Sequence, residues 1–133
     1  TNDLMIGSEL KKCPNVDTII IGGWLRPQFC NTIGFYAEDF LREFHFDKAF
    51  VYMDAIDLEK GSMITNIDEV SVKSHIIDAA EQVFFLCDHS KFTAKAFVRV
   101  CPLEKADANI TGRERDPDIA AQYRERRAKQ GFV

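Results

Sequence analysis

Residues 83–92 read VFFLCDHSKF, so that five apolar residues run directly into Asp88, His89, Ser90 and Lys91. An unbroken apolar run rich in β-branched and aromatic residues is typical of a strand covered on both faces, as in the parallel sheets of α/β domains. In open sheets of this kind, ligands bind just beyond the carboxyl ends of the strands. The stretch therefore predicts a buried strand that delivers polar groups to a ligand. The alternative is that Asp88 caps a short helical turn and Lys91 is solvated.

The rest of the chain alternates between the two kinds of secondary structure. Strands separated by helices of about ten to fifteen residues indicate βαβ crossovers, so we expect an α/β fold, a three-layer αβα sandwich around a mostly parallel, Rossmann-like sheet. Residues 96–100 follow 83–87 too closely for a helical crossover, and they should run antiparallel or at an edge. The sequence predicts helices over about residues 3–12, 31–44, 67–80 and 116–129, and strands over about 17–23, 48–56, 83–87, 96–100 and 106–110, with a further strand beginning at 131–133.

Composition limits the functions open to the chain. The net charge of −4 argues against a general nucleic-acid surface on these residues, because neutralising phosphates needs a basic face. No apolar run approaches the roughly 18 residues of a membrane span, and the opening TNDLMIGSEL is neither a signal peptide nor a starting methionine, so we expect a cytoplasmic, N-terminally truncated chain. The four cysteines form no CxxC pair, which favours buried thiols in a reducing compartment over disulfides or zinc. We expect neither metal nor cofactor.

The candidate binding site consists of polar residues and glycines that follow the predicted strands or begin the helix after the second strand. In a parallel sheet these positions converge on the carboxyl edge, where glycine-opened backbone and helix N-termini favour anions. The members are Gly22 and Gly23 after the first strand, Asp54 and Asp57 after the second, Glu69 and Lys73 in the following helix, and Asp88 and Lys91 after the third strand.

Each member also has a purely structural interpretation. Glu69 and Lys73 match an ordinary i,i+4 surface pair. Gly22 and Gly23 fit a turn, and Asp57 fits a plain polar loop. Taken singly, the structural interpretation is the commoner one for every residue, whereas the coincidence of all of them at strand ends favours a site.

Five stretches occur in order along nearly the whole chain: IIIGGWLRP at 19–27, NTIGFYAEDFL at 31–41, FDKAFVYMDAIDLEKG at 46–61, residues 66–107 with a D-x-S-K-F block at 88–92, and ANIT at 108–111. This order resembles the C-terminal effector-sensing domain of the DeoR family of bacterial transcriptional regulators. In that family an N-terminal winged helix-turn-helix binds operator DNA. The sensing domain is related in fold to ribose-5-phosphate isomerase, glucosamine-6-phosphate deaminase and the CoA transferases, and it binds a phosphorylated sugar or related metabolite.

The resemblance implies a domain organisation and a set of partners. Residues 1–133 would form an N-terminally truncated sensing domain, with the winged helix-turn-helix and a D-x-G-T-T phosphate loop upstream of Thr1. A phosphorylated sugar would be the effector of a repressor. Operator DNA would bind only through the missing domain, and the protein would form homo-oligomers, either dimers or tetramers.

When the family motifs are compared with this sequence position by position, they match most residues of the candidate site. They also add Asn2 to the candidate site. Tyr52 and Ala55 depart from the family, because they stand where it commonly has glycines, and their bulk is expected to narrow the pocket or change its ligand. His89 replaces a usual serine, and Gly112 stands where an aspartate is common. The matches are Thr1-Asn2 to the T-N step, Gly22-Gly23 to G-G, Asp54 and Asp57 to G-x-D-G-I-D, Glu69 to the acidic position of the next helix, and Asp88, Ser90, Lys91 and Phe92 to D-S-S-K-F.

Two classes of function remain open at this point. The first is a non-catalytic sensor, in which ligand binding shifts a conformational equilibrium that an oligomer transmits to DNA-binding domains. The second is a sugar-phosphate isomerase or deaminase, in which Glu69 transfers a proton while Asp54 and Lys91 polarise sugar oxygens. Fold alone does not choose between them. The D-x-S-K-F block resembles the regulators and not the enzymes, so we expect a sensor without catalytic residues.

Overall fold

Helices and strands alternate in the computed structural model, which describes residues 1–112, 118 and 121–125. The chain divides into an N-terminal unit, Thr1–Phe44, and a C-terminal unit that begins at His45. The mixture of helices with a parallel sheet confirms the expected α/β class. Of the predicted last helix, residues 118 and 121–125 are helical, whereas its predicted start at 116–117 and the predicted strand at 131–133 lie outside the described residues.

The N-terminal unit opens with helix α1 (Leu4–Leu10), which is shorter than predicted. Asp3 is its N-cap, because a side-chain oxygen of Asp3 accepts the backbone N–H groups of Met5 and Ile6 at 2.8 and 2.9 Å. The cap satisfies two of the N–H groups that the first turn of a helix leaves without an intrahelical partner.

A hairpin that the sequence did not predict follows in the same unit. Strand β1 (Trp24–Arg26) pairs antiparallel with β2 (Asn31–Ile33). Helix α2 (Phe35–Arg42) comes next and buries Ala37 and Leu41 completely. Residues 31–33 were expected to begin the helix predicted over 31–44, and that expectation was wrong because the chain is still extended there. Strands of three residues are too short to show an alternating pattern.

The strand predicted over residues 17–23 was also wrong, since no strand is formed there. The Thr1 amino group donates to the Ile19 carbonyl at 2.9 Å, and the Ile21 N–H donates to the Thr1 carbonyl at 2.8 Å. This is the hydrogen-bond pattern of one parallel residue pair, and a strand needs a ladder of successive pairs. An apolar run indicates burial but does not supply a pairing partner.

Among its described residues, the C-terminal unit forms two three-stranded sheets, a nine-residue helix and the helical segment at 118 and 121–125. Its elements are β3 (Phe46–Tyr52), β4 (Ala55–Asp57), β5 (Gly61–Ile64), α3 (Val70–Asp78), β6 (Ala80–Leu86), β7 (Val98–Cys101) and β8 (Ala108–Ile110), with short 3₁₀ turns at Ile67–Glu69, His89–Phe92 and Leu103–Lys105.

The parallel sheet has the order β3-β6-β8, so that β6 is central. Phe46 lies opposite Ala80 and Tyr52 opposite Leu86, and α3 forms the crossover between the two strands. The residues that follow β3 and β6 therefore leave the sheet at the same edge, as the sequence predicted.

The second sheet is antiparallel, with the order β4-β5-β7. The prediction for residues 96–100 is confirmed, because β7 is an edge strand that runs antiparallel to β5. The single strand predicted over 48–56 is in fact two, β3 and β4, which are interrupted at Met53 and Asp54. Asp54 thus lies between two strands rather than after one.

Burial on the parallel sheet is one-sided. Val83 and Phe85 belong to the core, whereas Leu86 is 38% exposed and Phe84, stacked on Phe50 at 5.1 Å between ring centres, is only partly buried. Successive side chains of a strand point to opposite faces. The expectation that residues 83–87 are covered on both faces was therefore wrong. Full burial of one phenylalanine such as Phe85 contributes roughly 2–3 kcal/mol.

Candidate functional site

Asp54 is held in place by Thr65 at the carboxyl end of β3. Its Oδ2 accepts the backbone N–H of Thr65 at 2.7 Å and the hydroxyl of Thr65 at 2.7 Å. The Asp54 N–H donates to the Met63 carbonyl at 3.1 Å, so both ends of the residue are tied to β5 and the residue after it.

The Asp54 carboxyl group has a lowered pKa. Partial burial acts to raise the pKa, but the two hydrogen bonds from Thr65 and the positive charges of Lys73 and Lys91 outweigh burial and lower it. Asp54 is therefore an ionised acceptor at neutral pH. It is also the residue on which the charges of two predicted site lysines act.

Tyr52, Glu69 and Lys73 form a compact group that we call the Tyr52 cluster. The Lys73 ammonium donates to the Tyr52 carbonyl at 2.7 Å, lies 3.5 Å from Oε2 of Glu69 and sits 3.4 Å from the centre of the Tyr52 ring. The Tyr52 hydroxyl donates to the same Glu69 oxygen at 3.4 Å. Only 5% of Lys73 and 7% of Glu69 are exposed, so the interpretation of this pair as a surface pair was wrong.

The Tyr52 cluster compensates the cost of burying two charges. A buried ammonium is tolerated when it is paired and its donors are matched, and a carbonyl, a carboxylate and the negative face of an aromatic ring match them here. The i,i+4 spacing gave a signal for Glu69 and Lys73. No sequence signal pointed to their common partner Tyr52, which the motif comparison treated only as a bulky residue in the pocket.

The D-x-S-K-F loop begins with a capped turn. Oδ1 of Asp88 accepts the Ser90 N–H at 2.8 Å and the Ser90 hydroxyl at 2.5 Å. These hydrogen bonds, together with the charges of Lys91 and His89, lower the pKa of Asp88. The Asp88 side chain is thus engaged as an N-cap, as the structural interpretation predicted.

Lys91 is the fourth residue of the D-x-S-K-F block and is partly buried. Its backbone N–H donates to the Asp88 carbonyl at 3.1 Å. Within the part of the chain that the structure describes, its ammonium makes no hydrogen bond or ion pair, although its charge acts on Asp54. Lys91 therefore differs from Lys73, whose ammonium is occupied.

A contact that sequence reasoning missed joins this loop to residues 121–125. The Phe92 ring meets the ring of Tyr123 edge to face, with 6.0 Å between centres, and the Asn109 side-chain amide donates to the Tyr123 hydroxyl. Tyr123 is buried. The helical period predicted for this segment did not by itself single out Tyr123 as a core residue.

The Asp57 side chain stabilises the turn between β4 and β5. Its Oδ1 accepts the backbone N–H groups of Glu59 and Lys60 at 2.9 and 2.8 Å. Gly61 follows with a φ of 106°, which favours glycine. These contacts match the plain polar loop that was the alternative for Asp57.

Asn2, Gly22 and Gly23 belong to the N-terminal unit. The Asn2 side-chain amide donates to the Thr32 carbonyl at 2.9 Å, so it is engaged with β2. Gly23 has a φ of 146°, and a Cβ there would lie 2.7 Å from the Ile33 carbonyl oxygen, whereas a Cβ on Gly22 would meet nothing within 4 Å. The structure thus brings Asn2 and Gly23 together at β2, and it groups Asp54 with the two lysines in the C-terminal unit.

The cysteines are all free thiols, and their burial differs. Cys87 and Cys101 are buried as expected, and burial together with the charge of Asp88 raises the pKa of Cys87 to about 11. Cys13 is exposed, so the expectation of burial was wrong for it. Among the described residues, no group of three or more His, Cys, Asp or Glu side chains is placed to hold a metal ion, and no helix is long and apolar enough to cross a membrane.

The fold and these residues define an α/β domain with ionised side chains gathered where its parallel strands end. The chain belongs to the family of DeoR C-terminal sensor domains, whose family model matches residues 1–113.

Curated relatives with similar sequences carry regulatory names. The chain is 38% identical over 93 residues to a putative sgc region transcriptional regulator of Escherichia coli (strain K12), covering 70% of this chain and 36% of the relative. It is 32% identical over 110 residues to a putative aga operon transcriptional repressor of Escherichia coli O157:H7, covering 83% and 41%. It is 32% identical over 112 residues to the glycerol-3-phosphate regulon repressor of Haemophilus influenzae, covering 84% and 44%. The chain thus spans less than half the length of these relatives.

Proposed function

We propose that the chain is the effector-binding domain of a DeoR-type transcriptional regulator, acting as a repressor, and that its effector is a phosphorylated sugar. Membership of the sensor-domain family supports this, as do the names of similar proteins, which include a putative aga operon transcriptional repressor and a glycerol-3-phosphate regulon repressor. The chain spans only part of those relatives. We therefore include in the proposal that a winged helix-turn-helix elsewhere in the protein binds the operator.

The observation that carries the proposed ligand site is the contrast between the two lysines near Asp54. The Lys73 ammonium is held by the Tyr52 carbonyl, whereas that of Lys91 has no such partner among the described residues. A phosphate group needs a cation that can turn towards it, and lysine supplies a mobile point charge. We assign the phosphate to Lys91 and the sugar hydroxyls to Asp54, which is ionised and can only accept hydrogen bonds.

The remaining predicted site residues keep supporting roles in this proposal. Asp88 shapes the turn that carries Lys91, and Asp57 shapes the turn after β4. Asn2, Gly22 and Gly23 belong to the N-terminal unit, and we assign them no contact with this ligand. We further propose that the whole domain is a three-layer sandwich of the ribose-5-phosphate isomerase type, and that ligand binding acts on DNA through a dimer or tetramer.

The enzyme alternative is less favoured. A general base must come within hydrogen-bonding reach of the proton that it removes. Glu69, the carboxylate assigned to that task, is 7% exposed and faces Lys73 and the Tyr52 hydroxyl. These contacts suit a structural carboxylate better than one that collects protons from a substrate.

Calorimetry with the purified protein tests the proposal. The panel consists of glycerol 3-phosphate, ribose 5-phosphate, fructose 1-phosphate and glucosamine 6-phosphate. We expect one of them to bind, and Lys91→Ala to weaken that binding about ten- to a hundredfold, because a charge-assisted contact is worth roughly 1.5–3 kcal/mol. The matched control is Lys95→Ala, four residues further along and exposed, which should bind like the parent.

Three outcomes would count against the proposal. Unchanged affinity in Lys91→Ala removes Lys91 from the site. A parent protein that binds no member of the panel refutes sugar-phosphate sensing. Formation of product from any member shows an enzyme. In a regulator, Lys91→Ala should retain operator affinity and lose the response to the effector, which a gel-shift titration measures.

A further inference from the structure

The Tyr52 ring has two different sides. One face is covered by the Lys73 ammonium, 3.4 Å from the ring centre. The tyrosine nevertheless remains 42% exposed, far more than the 5% of Lys73 and 7% of Glu69 beneath it. Solvent therefore reaches much of Tyr52 and little of the charged pair beside it.

The charged pair fixes the position of the ring. Lys73 bonds to the Tyr52 carbonyl at 2.7 Å while its charge attracts the ring face, and Glu69 accepts the Tyr52 hydroxyl at 3.4 Å. The backbone, one face and the hydroxyl of Tyr52 are thus each held by a buried partner. A ring held in this way loses little conformational freedom when a ligand binds to it.

The ring also lies close to the groups assigned to the ligand. Tyr52 is the last residue of β3, and Asp54 follows two residues later. The charges of Lys73, beneath the ring, and of Lys91 both act on Asp54. A ligand whose phosphate meets Lys91 and whose hydroxyls meet Asp54 therefore has its carbon skeleton in the neighbourhood of the ring.

We propose that Tyr52 contacts the ligand directly, its ring forming a platform on which the carbon skeleton of the sugar stacks, while Glu69 and Lys73 position that ring and do not touch the ligand. This inference rests on the proposed function. A sugar presents C–H groups on one face, and these carry a small positive charge that suits the negative face of an aromatic ring. The platform selects a ligand with a sugar skeleton over phosphate alone.

Two ligands and two substitutions test the platform. The ligands are the sugar phosphate of the panel that the parent binds and inorganic phosphate, which has no skeleton to stack. Tyr52→Leu keeps apolar bulk over Lys73 but removes the ring, and it should weaken sugar-phosphate binding about tenfold while changing phosphate affinity less than about twofold. Tyr52→Phe restores the ring and should recover most of the lost affinity.

The control substitution is Phe97→Leu, which removes an equally large aromatic ring that is 77% exposed and belongs to no site described above. It should leave both affinities unchanged. Thermal unfolding of every variant, followed by circular dichroism, separates loss of fold from loss of contact.

The results that would contradict the Tyr52 platform can be told apart from those that would contradict the proposed function. If Tyr52→Leu binds the sugar phosphate as tightly as the parent, or if it loses the same factor for inorganic phosphate, the platform is refuted while sugar-phosphate sensing stands. If Tyr52→Phe fails to recover binding, the hydroxyl rather than the ring face makes the contact, and the platform is again refuted. A parent protein that binds no sugar phosphate refutes the proposed function and the platform with it.

Discussion

Thr65 holds one carboxylate oxygen of Asp54 with two donors, its backbone N–H and its hydroxyl, both at 2.7 Å. Asp54 follows β3 of the parallel sheet, and Thr65 follows β5 of the antiparallel sheet. The pair therefore ties the ends of strands from two different sheets at the position where the proposed ligand binds.

Replacing Thr65 by valine removes the hydroxyl and keeps the shape of the side chain. We expect the free energy of unfolding to fall by about 1 kcal/mol, because one hydrogen bond to a charged acceptor is lost in a partly exposed place. Urea unfolding measures the change. Thr65→Ser should restore stability, and Thr93→Val, which removes an exposed hydroxyl bonded at 3.3 Å to the Ser90 carbonyl, is the control. A loss no larger than that of Thr93→Val would contradict the prediction.

The lowered pKa of Asp54 makes a defined contribution to pH-dependent stability. Hydrogen bonds and nearby lysines favour the ionised form in the folded state, so the contribution is complete above the ordinary value of about 3.9 and disappears as pH falls through the lowered folded pKa. Urea unfolding of the parent and Asp54→Asn should differ by about 1 kcal/mol or less at pH 7, because the site is partly solvated.

The same comparison should show the difference between parent and Asp54→Asn shrinking towards zero as pH falls below about 4. Subtracting the variant cancels the parallel titration of Asp88. A difference that grows as pH falls would mean that the pKa of Asp54 is raised by folding, contrary to its contacts.

The buried and exposed ion pairs of the C-terminal unit should respond very differently to substitution. Lys73→Met leaves the Glu69 carboxylate buried without its ammonium, which costs roughly 3–5 kcal/mol. Lys105→Met breaks the exposed pair with Asp78, 2.8 Å long, and should cost less than about 1 kcal/mol. Chemical denaturation measures both.

A double substitution identifies the cause of the larger loss. Adding Glu69→Gln to Lys73→Met removes the buried negative charge that has lost its ammonium, so the two changes together should cost less than Lys73→Met alone. Equal losses for Lys73→Met and Lys105→Met would show that the Tyr52 cluster contributes no more than a surface pair.

Two neighbouring glycines provide a matched test of backbone constraint. Gly23→Ala forces a Cβ to 2.7 Å from the Ile33 carbonyl at a φ of 146°, and we expect a loss of more than about 2 kcal/mol. Gly22→Ala meets nothing within 4 Å and should change stability by no more than about 1 kcal/mol, in the stabilising direction. Thermal unfolding measures both. Similar melting temperatures for the two variants would contradict the requirement for glycine at position 23.

The elements that the sequence predicted best are those with many residues and one clear pattern. The apolar run at 83–87 and the helical spacing before it gave β6 and α3, and the short gap after β6 gave the orientation of β7. The hairpins β1–β2 and β4–β5 were missed, because strands of three or four residues show no periodicity and their pairing depends on partners distant from any local signal.

The sequence predicted which polar residues lie at the strand ends but not how their side chains contact one another. Asp54 and Lys91 could be predicted to lie near each other, because each follows a strand and the two strands run parallel and end at the same edge of the sheet. Burial of the Glu69–Lys73 pair could not be deduced from an i,i+4 spacing, which is the same on a buried and an exposed helix face. The role of Tyr52 depends on where its ring points, and a motif comparison does not carry that information.

The parallel pairing of β3 with β6 has a consequence for the order in which the domain folds. Phe46 meets Ala80 only after the whole intervening chain has closed into a loop, so this pairing is slow compared with the local β1 and β2 hairpin. The proximity of Asp54 to Lys91 depends on this pairing, because each residue follows one of the two strands. We therefore expect it to arise after the hairpins have formed. A newly synthesised chain would acquire its hairpins first and its capacity to recognise a ligand last.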